Sequence, residues 1–247
     1  FHVITHAFFK ACLFLGSGSV IHALHGEQDM RNMGGLRKVM PITFWTMMIS
    51  TLAISGIFPF SGFWSKDEIL MTAFHSNIPL WVVGSIASIM TAFYMFRLMY
   101  LTFFNDFRGT EEQKHHLHES PALITFPLVI LATLAAIGGA ISLPGHSWLN
   151  HYLAPLFKKH EAHHLDGQAY MLMAIATVGA IVGIGIAYSK YLKKKEIPVA
   201  DSEVKGLHKV LSNKYYLDEI YMATIVKPIY MISSFAKKYV EKFISKA

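Results

Sequence analysis

Cysteine is almost missing: Cys12 is the one thiol in 247 residues. A lone thiol makes no disulfide within the chain. Nor can it alone hold an iron–sulfur cluster or a structural zinc. Charge is scarce too, with Asp, Glu, Lys and Arg at 15% of the chain, against roughly 25% in soluble domains. The sequence contains no G-x-G-x-x-G turn, no Walker loop, no C-x-x-C pair and no Ser/His/Asp arrangement. Soluble enzyme chemistry therefore has no visible seat, and no cofactor, redox centre or metal is expected in the chain itself. The net charge of +6 raises the question of nucleic acid. The Lys and Arg, however, sit mostly at the ends of apolar runs, as membrane topology demands; no nucleic-acid partner is expected.

What the chain does have is apolar residues, 53% of the total with a mean hydropathy of +0.38. They come in runs long enough to cross a hydrocarbon layer of about 30 Å, which needs roughly 20 helical residues. The predicted fold class is all-α: a polytopic transmembrane helix bundle of about five spans, one of them broken, with a C-terminal amphipathic helix. Membrane lipids are thus an expected partner. The first run begins at once, at Phe1-His2-Val3, with no Met and no signal peptide. The chain accordingly reads as a piece of a longer protein, cut inside a helix.

The first helix is predicted over about 1–25, followed by a basic loop from Arg31 to Lys38 that contains Gly34-Gly35. An apolar run from about 41 to 57 starts at Pro41, a residue tolerated in a first helical turn. Gly56-Ile57-Phe58-Pro59-Phe60-Ser61-Gly62 interrupts it, and Phe63-Trp64-Ser65-Lys66-Asp67-Glu68 resumes. A full span followed by a polar loop would fit, as would one long helix broken near its middle at Gly56, Pro59 and Gly62. The second is favoured, because a surrounding bundle or a cavity can satisfy the freed backbone groups. Regular helix should stop near 57 and resume near 63, with Lys66 inside the bundle.

Further spans are predicted at about 80–104, 121–143 and 168–189. Between them lie a charged loop at 105–120 and a polar loop at 145–167. Pro144-Gly145 should stop the fourth span. The predicted organisation is a transmembrane bundle over 1–193, a linker over 194–213 and an amphipathic helix over 214–247. In that helix Ile220, Ile225, Ile229, Ile232, Phe235 and Val240 oppose Lys237, Lys238, Glu241 and Lys242. With one broken span, Arg31, Arg37, Lys38, Arg108, Lys114, Lys190, Lys193, Lys194 and Lys195 fall on one side. Only Lys158 and Lys159 fall on the other. The first side, and the tail with it, is predicted to be cytoplasmic.

The ionisable residues inside these runs carry the chemistry. His2, His6 and Lys10 stand at i, i+4 and i+8, so they share one face of the first helix at a spacing of about 6 Å. A central Lys costs about 2.5–3.5 kcal/mol on insertion scales, so such a row faces protein or water, where it can pass protons through intervening solvent. Snorkelling near a membrane surface is the bland alternative. Lys66 and Asp67 follow the break directly, with Glu68 beside them. They read equally as a channel site or as a solvated helix start. Arg97 is expected to snorkel to the cytoplasmic surface. Tyr94-Met95-Phe96 is expected to be helix packing. The clusters His115-His116-His118 and His160-His163-His164, with His151 nearby, lack acidic or Cys partners, so metal binding is not expected.

Three strings then become recognisable: THAFFKACLFLGSGSVIH (Thr5 to His22), EQDMRNMGGLRKVMP (Glu27 to Pro41) and GFWSKDEIL (Gly62 to Leu70). They resemble the antiporter-like family of membrane subunits of respiratory complex I, which also includes relatives of Mrp-type cation/proton antiporters. The strong motifs cover about residues 1–100. KYYLDEIYMATIVKPI (Lys214 to Ile229) resembles, more loosely, the start of a lateral helix along the membrane arm. The resemblance implies that His2, His6 and Lys10 belong to a central proton-connecting axis. It makes Lys66 the terminal proton-transfer site of a second half-channel, and Asp67 an acidic residue coupled toward a neighbouring subunit. It also places a Glu and a Lys of a first half-channel before residue 1, and a last helix after Ala247.

The function so implied is proton translocation within NADH-quinone oxidoreductase. Other membrane-arm subunits and protons would be its partners, and flavin and iron–sulfur clusters would sit in partner subunits. An Mrp-type cation/proton antiporter or membrane-hydrogenase subunit would share the same motifs. A structural anchor without transport would leave Lys10 and Lys66 at membrane depth unexplained. The location implied is the inner (cytoplasmic) membrane of a cell.

Overall fold

The computed structural model describes residues 1–143, 146–156, 166–199 and 203–241. Two compact units divide the chain, residues 1–197 and 198–247. The first is a helix bundle. Helix α1 (His2–Ala23) is followed by short 3-10 turns at Met30–Asn32 and Leu36–Lys38, then α2 (Pro41–Ile54) and α3 (Ser61–Ser76). Next come α4 (Ile78–Phe103), α5 (Glu111–His116) and α6 (Ala122–Ile137), which continues as a 3-10 turn to Ile141. A small antiparallel pairing joins β1 (Ser142–Leu143) to β2 (His146–Ser147). Helix α7 (Trp148–Leu153) follows, and then α8 (Gly167–Ala187) with a π turn to Lys193. The all-α prediction holds apart from that one two-residue pairing.

Among the described residues, four helical stretches are long and apolar enough to cross a membrane: His2–Ala23, Ile78–Phe103, Ala122–Ile141 and Gly167–Lys193. Helix α2 has 14 residues, about 21 Å at 1.5 Å per residue, and falls short of a crossing. With α3 it makes up the broken fifth element. Large apolar side chains are exposed around the bundle, with Val3 at 81%, Leu123 at 87% and Phe126 at 68%. Water would not tolerate that belt, but lipid does. The chain is a multi-pass membrane protein.

The break differs from its predicted limits: helix stops at Ile54 rather than near 57, and resumes at Ser61 rather than near 63. The physical reason is a complete C-terminal cap. The Gly56 N–H donates to Ala53 O at 3.0 Å and the Ile57 N–H to Leu52 O at 3.1 Å, with Gly56 at φ +73°. This double closure needs a left-handed residue one past the cap, which glycine adopts without strain. Pro59 follows, in a cis peptide with Phe58.

The core forms where α1, α2 and α4 meet, around Phe9, Leu13, Met47, Phe44, Met99 and Phe103. Cys12 is fully buried, its Sγ within 3.6 Å of Thr46 O and of Leu128 O. Met95 and Phe96 are core residues, as expected from packing, whereas Tyr94 on the same turn is exposed. Helices α4 and α8 touch backbone to backbone: a Cβ on Gly183 would stand 2.7 Å from Ile89 O. Arg97, expected to snorkel, holds its guanidinium 5.6 Å from the ring centre of Tyr191, in the lysine-bearing Tyr188–Lys193 turn at the basic end of the bundle, with its Nε buried; an aromatic face partners a cation there.

The basic loops interlock at one end of this bundle. The Arg108 guanidinium donates to Arg31 O (2.9 Å), Met30 O (2.9 Å) and Leu101 O (2.8 Å). The Gly35 N–H donates to Phe104 O at 3.0 Å, Asn105 reaches Tyr191 O at 2.8 Å, and Lys195 pairs with Asp106 at 3.3 Å. Helix α5, unforeseen inside the charged loop, carries a capping box between Thr110 and Gln113. Gln113 also donates to Leu24 O at 3.0 Å.

The second unit holds α9 (Gly206–Ser212), a 3-10 turn, and then helix from α10 (Leu217–Tyr221) through a π turn at Met222–Val226 into α11 (Lys227–Phe235). Pro228 lacks the N–H that would reach Thr224 O, so the ladder slips to longer bonds just before it. Ile220, Ile225, Ile229, Ile232 and Phe235 are all exposed. Pro144-Gly145, Lys158, Lys159, His160, His163, His164 and Lys242 lie outside the described residues.

Candidate functional site

The site is built on the break. Ending α2 at Ile54 leaves backbone carbonyls at the negative end of a helix dipole, well inside the bundle. Lys66, one and a half turns into α3, answers them: its Nζ donates to Ile54 O at 3.1 Å and to Ser88 Oγ, on α4, at 3.2 Å. The Lys66 stem passes over Gly56, whose hypothetical Cβ would meet Cδ at 3.6 Å. The fit is closest at Gly62, where a Cβ would stand 1.9 Å from Ala53 O. Glycine is therefore the residue that lets α3 start against the last turn of α2. Asp67 is half-buried, with Oδ2 out of solvent and bonded to no protein atom among the described residues, whereas Glu68 is exposed. The solvated-helix-start alternative thus fits Glu68 but not Lys66.

The row on α1 meets this segment at one end. His2 Nδ1 lies 3.0 Å from Ser65 Oγ, on the residue just before Lys66. Thr5 Oγ1 lies 2.9 Å from the same hydroxyl. The rings of His2 and His6 are 5.7 Å apart between centres, and the His6 ring meets Phe9 edge-on at 5.2 Å. Lys10 turns its amine over Phe14, 5.3 Å from the ring centre. His2, His6 and Lys10 are each half-buried, so the row runs along the margin of the described bundle. Among the described residues Lys10 makes no hydrogen bond to the Lys66 site; the structure joins His2, and not Lys10, to α3. Around the break, the hydroxyls of Thr51, Ser55 and Ser61 are buried and bond to no protein atom among the described residues. Polar cavities with such groups are where ordered water is found.

Ser65 and Thr5 were not legible as site residues, because their partners lie 60 and more positions away in sequence. Ser88 was missed because its partner, Lys66, lies on another helix 22 positions away. So was Glu119, whose carboxylate accepts from the Ile42 N–H at 2.7 Å, the Thr43 N–H at 3.2 Å and the Thr43 hydroxyl at 2.6 Å. It caps α2, which begins at Pro41, after Met40, and has no local side chain able to do so. The loop histidines form edge contacts, His25 with His116 at 5.3 Å and His22 with His118 at 6.3 Å. Among the described residues no group of three or more His, Cys, Asp or Glu is placed to hold a metal ion.

Residues 1–91 match the family described as NADH:quinone oxidoreductase/Mrp antiporter, TM. The NAD(P)H-quinone oxidoreductase chain 5 of Picosynechococcus sp. is 44% identical over 254 residues, which cover 90% of this chain and 38% of that protein. The NADH-quinone oxidoreductase subunit L of Rickettsia bellii is 39% identical over 245 residues, or 93% of this chain and 37% of the relative. That of Mycobacterium tuberculosis is 40% identical over 233 residues, or 92% and 36%. The chain therefore spans less than two-fifths of the length of these curated relatives.

Proposed function

The chain belongs to the antiporter-like family of membrane subunits, and on that premise we propose that it carries the second proton half-channel of a subunit L-type component of NADH-quinone oxidoreductase. The observation that carries this reading is the seating of Lys66. A lysine amine is held on a helix-terminal carbonyl inside the bundle, one residue from a hydroxyl bonded to the α1 histidine row. An amine can give up its proton at such a place and take it back, which a guanidinium essentially never does. His2, His6 and Lys10 are the connecting row, Lys66 the group that exchanges protons with the far side, and Asp67 the buried acid that senses a neighbour. Gly56, Pro59 and Gly62 hold the break open for them.

The matched family spans both oxidoreductase and antiporter members, while the relatives named above are quinone oxidoreductase components; this supports the oxidoreductase reading. Redox chemistry, with its flavin and iron–sulfur clusters, belongs on this reading to partner subunits. Other membrane-arm subunits are its neighbours, and the helix that starts at Leu217 lies along them. The basic end of the bundle, knitted by Arg108, faces the cytoplasm, in a cell's inner membrane.

The test is Lys66→Ala and Lys66→Arg in the complete complex, reconstituted in vesicles, with proton uptake measured during NADH oxidation and assembly checked separately. Both variants should impair pumping while assembly persists. Normal pumping by Lys66→Ala would refute the assignment and leave the structural-anchor alternative.

A further inference from the structure

We propose that Ser65 and Thr5 are positioning residues that keep the His2 ring docked on α3 in both of its charge states, by reversing the direction of their shared hydrogen bonds. The proposal rests on the functional reading above, in which His2 belongs to a proton-conducting row.

The geometry is a closed triangle. His2 Nδ1 is 3.0 Å from Ser65 Oγ, Ser65 Oγ is 2.9 Å from Thr5 Oγ1, and Thr5 Oγ1 is 3.0 Å from the His2 carbonyl oxygen. Ser65 is 1% exposed and Thr5 fully buried, so neither hydroxyl turns to bulk water for an alternative. Each hydroxyl has one proton to give and lone pairs to receive. When His2 is neutral with its proton on Nε2, Thr5 donates to Ser65 and Ser65 donates to Nδ1. When His2 is an imidazolium, Nδ1–H donates to Ser65, Ser65 donates to Thr5, and Thr5 donates to the His2 carbonyl. The one covalent change is a proton that the row delivers to His2 Nδ1 as the ring charges and takes back as it discharges; beyond that, two hydroxyl protons rotate and no bond between heavy atoms changes. Every donor of the triangle has an acceptor in both states, and the ring need not move.

Few other groups could do this. A carboxylate at position 65 would favour the cation alone, and a backbone N–H would favour the neutral ring alone. The hydroxyl pair serves both states, and because its bond to the imidazolium is the charge-assisted one it favours the cation modestly without locking it. The titratable groups facing His2 are His6 along α1 and Lys66 on α3. Both are cationic or able to become so. The Ser65 oxygen is thus the neutral acceptor through which the imidazolium state is tolerated among them. Because Ser65 precedes Lys66 directly, a fixed His2 also fixes the distance from the row to the lysine.

The experiment uses the complete complex in vesicles, with proton uptake during NADH oxidation measured across a pH range. Ser65→Ala and Thr5→Val are compared with the conservative pair Ser65→Thr and Thr5→Ser, with Lys66→Ala alongside. Losing a charge-assisted acceptor changes proton affinity about tenfold, or about one pH unit. Ser65→Ala should therefore displace the pH profile of uptake toward acid by about that amount. Thr5→Val should move it in the same direction by less, since Ser65 can still accept from Nδ1, and both conservative variants should restore the parental profile. Should Ser65→Ala fail to assemble, the Thr5 pair still decides the matter. Profiles of Thr5→Val and Ser65→Ala that superpose on the parent's would overturn the proposal. So would a uniform loss at every pH that Ser65→Thr does not restore. Normal uptake by Lys66→Ala would instead sink the functional reading on which the proposal stands.

Discussion

Replacing Gly62 by alanine adds one methyl group where two backbones already touch. The new Cβ would stand 1.9 Å from Ala53 O and 2.8 Å from the Ala53 carbonyl carbon, where real Cβ contacts do not fall below 3.0 Å. The last turn of α2 and the first of α3 must part by about 1.1 Å, and no side-chain rotation relieves the clash because the obstacle is main chain. Overpacking of this kind costs about 1–3 kcal/mol, and the lack of any soft neighbour puts it near the top of that range. A penalty of about 3 kcal/mol is roughly a hundredfold in the equilibrium between closed and open break. The same displacement would carry Lys66 Nζ from 3.1 Å to beyond hydrogen-bond reach of Ile54 O. Backbone hydrogen exchange over residues 55–57 in the assembled complex reads the effect, since the Ser55, Gly56 and Ile57 amides all bond within the cap. They should exchange up to about a hundredfold faster in Gly62→Ala. Gly18→Ala is the control: no atom lies within 4 Å of its new methyl group, and alanine inside a helix gains about 0.5–1 kcal/mol. Equal exchange at 55–57 in Gly62→Ala and the parent would refute the packing argument.

Two further outcomes follow from the capped ends of the loops. Glu119→Ala strips the α2 N-terminus of its acceptor and leaves the Ile42 and Thr43 amides unpaired. It should cost about 1–2 kcal/mol, seen as faster exchange at those two amides, while Glu119→Gln, which keeps one oxygen, should cost less. In the loop after α1, hydrogen bonds from the Arg31 side chain and then its N–H hold the Asp29 carboxyl below its usual range, and the Asp29 N–H does the same for Glu27. Both groups have depressed folded values, so their contribution is present above the ordinary carboxylate range and is lost as pH falls through the folded values. Exchange protection of the Gln28, Asp29 and Arg31 amides, corrected for intrinsic rate, should hold at neutral pH and be lost as pH falls below the ordinary carboxylate range. These groups are only half-buried and are screened, so bundle stability should not follow; protection that persists once both carboxyls are protonated would contradict the reading.

Residues that act through their own helix were legible in the sequence. The i, i+4, i+8 row of His2, His6 and Lys10 follows from helical geometry alone, and Gly56, Pro59 and Gly62 announced an interruption between two apolar halves. The limits of that interruption were misplaced by two or three residues, because Ser55, Gly56 and Ile57 are spent closing the helix rather than extending it. The capping box of α5 was readable at Thr110 and Gln113, but the charge and histidines around it masked so short a helix. Residues that act across the bundle left no local trace. Ser65 is unremarkable until His2 and Thr5 arrive beside it, and Ser88 until Lys66 does. Glu119 in a loop looks like surface charge until the bare N-terminus of α2 is set against it. The Arg97 contact was hidden for the same reason: Tyr191, its partner, comes from a helix end 94 positions away.

The contact at Gly183 has a consequence for the lysine that no polar residue of α8 announces. Ile89, whose carbonyl oxygen Gly183 nearly touches, follows Ser88 in the chain, and Ser88 holds Lys66. Where α8 lies against α4 therefore sets where the serine hydroxyl is aimed. Helix α8 acts as a gauge block: its lipid-facing positions are free to drift among apolar residues, while its one closest point fixes a tolerance elsewhere. A methyl group at 183 would push α4 aside by tenths of an ångström, and the misalignment would be felt as a lengthened hydrogen bond to the Lys66 amine.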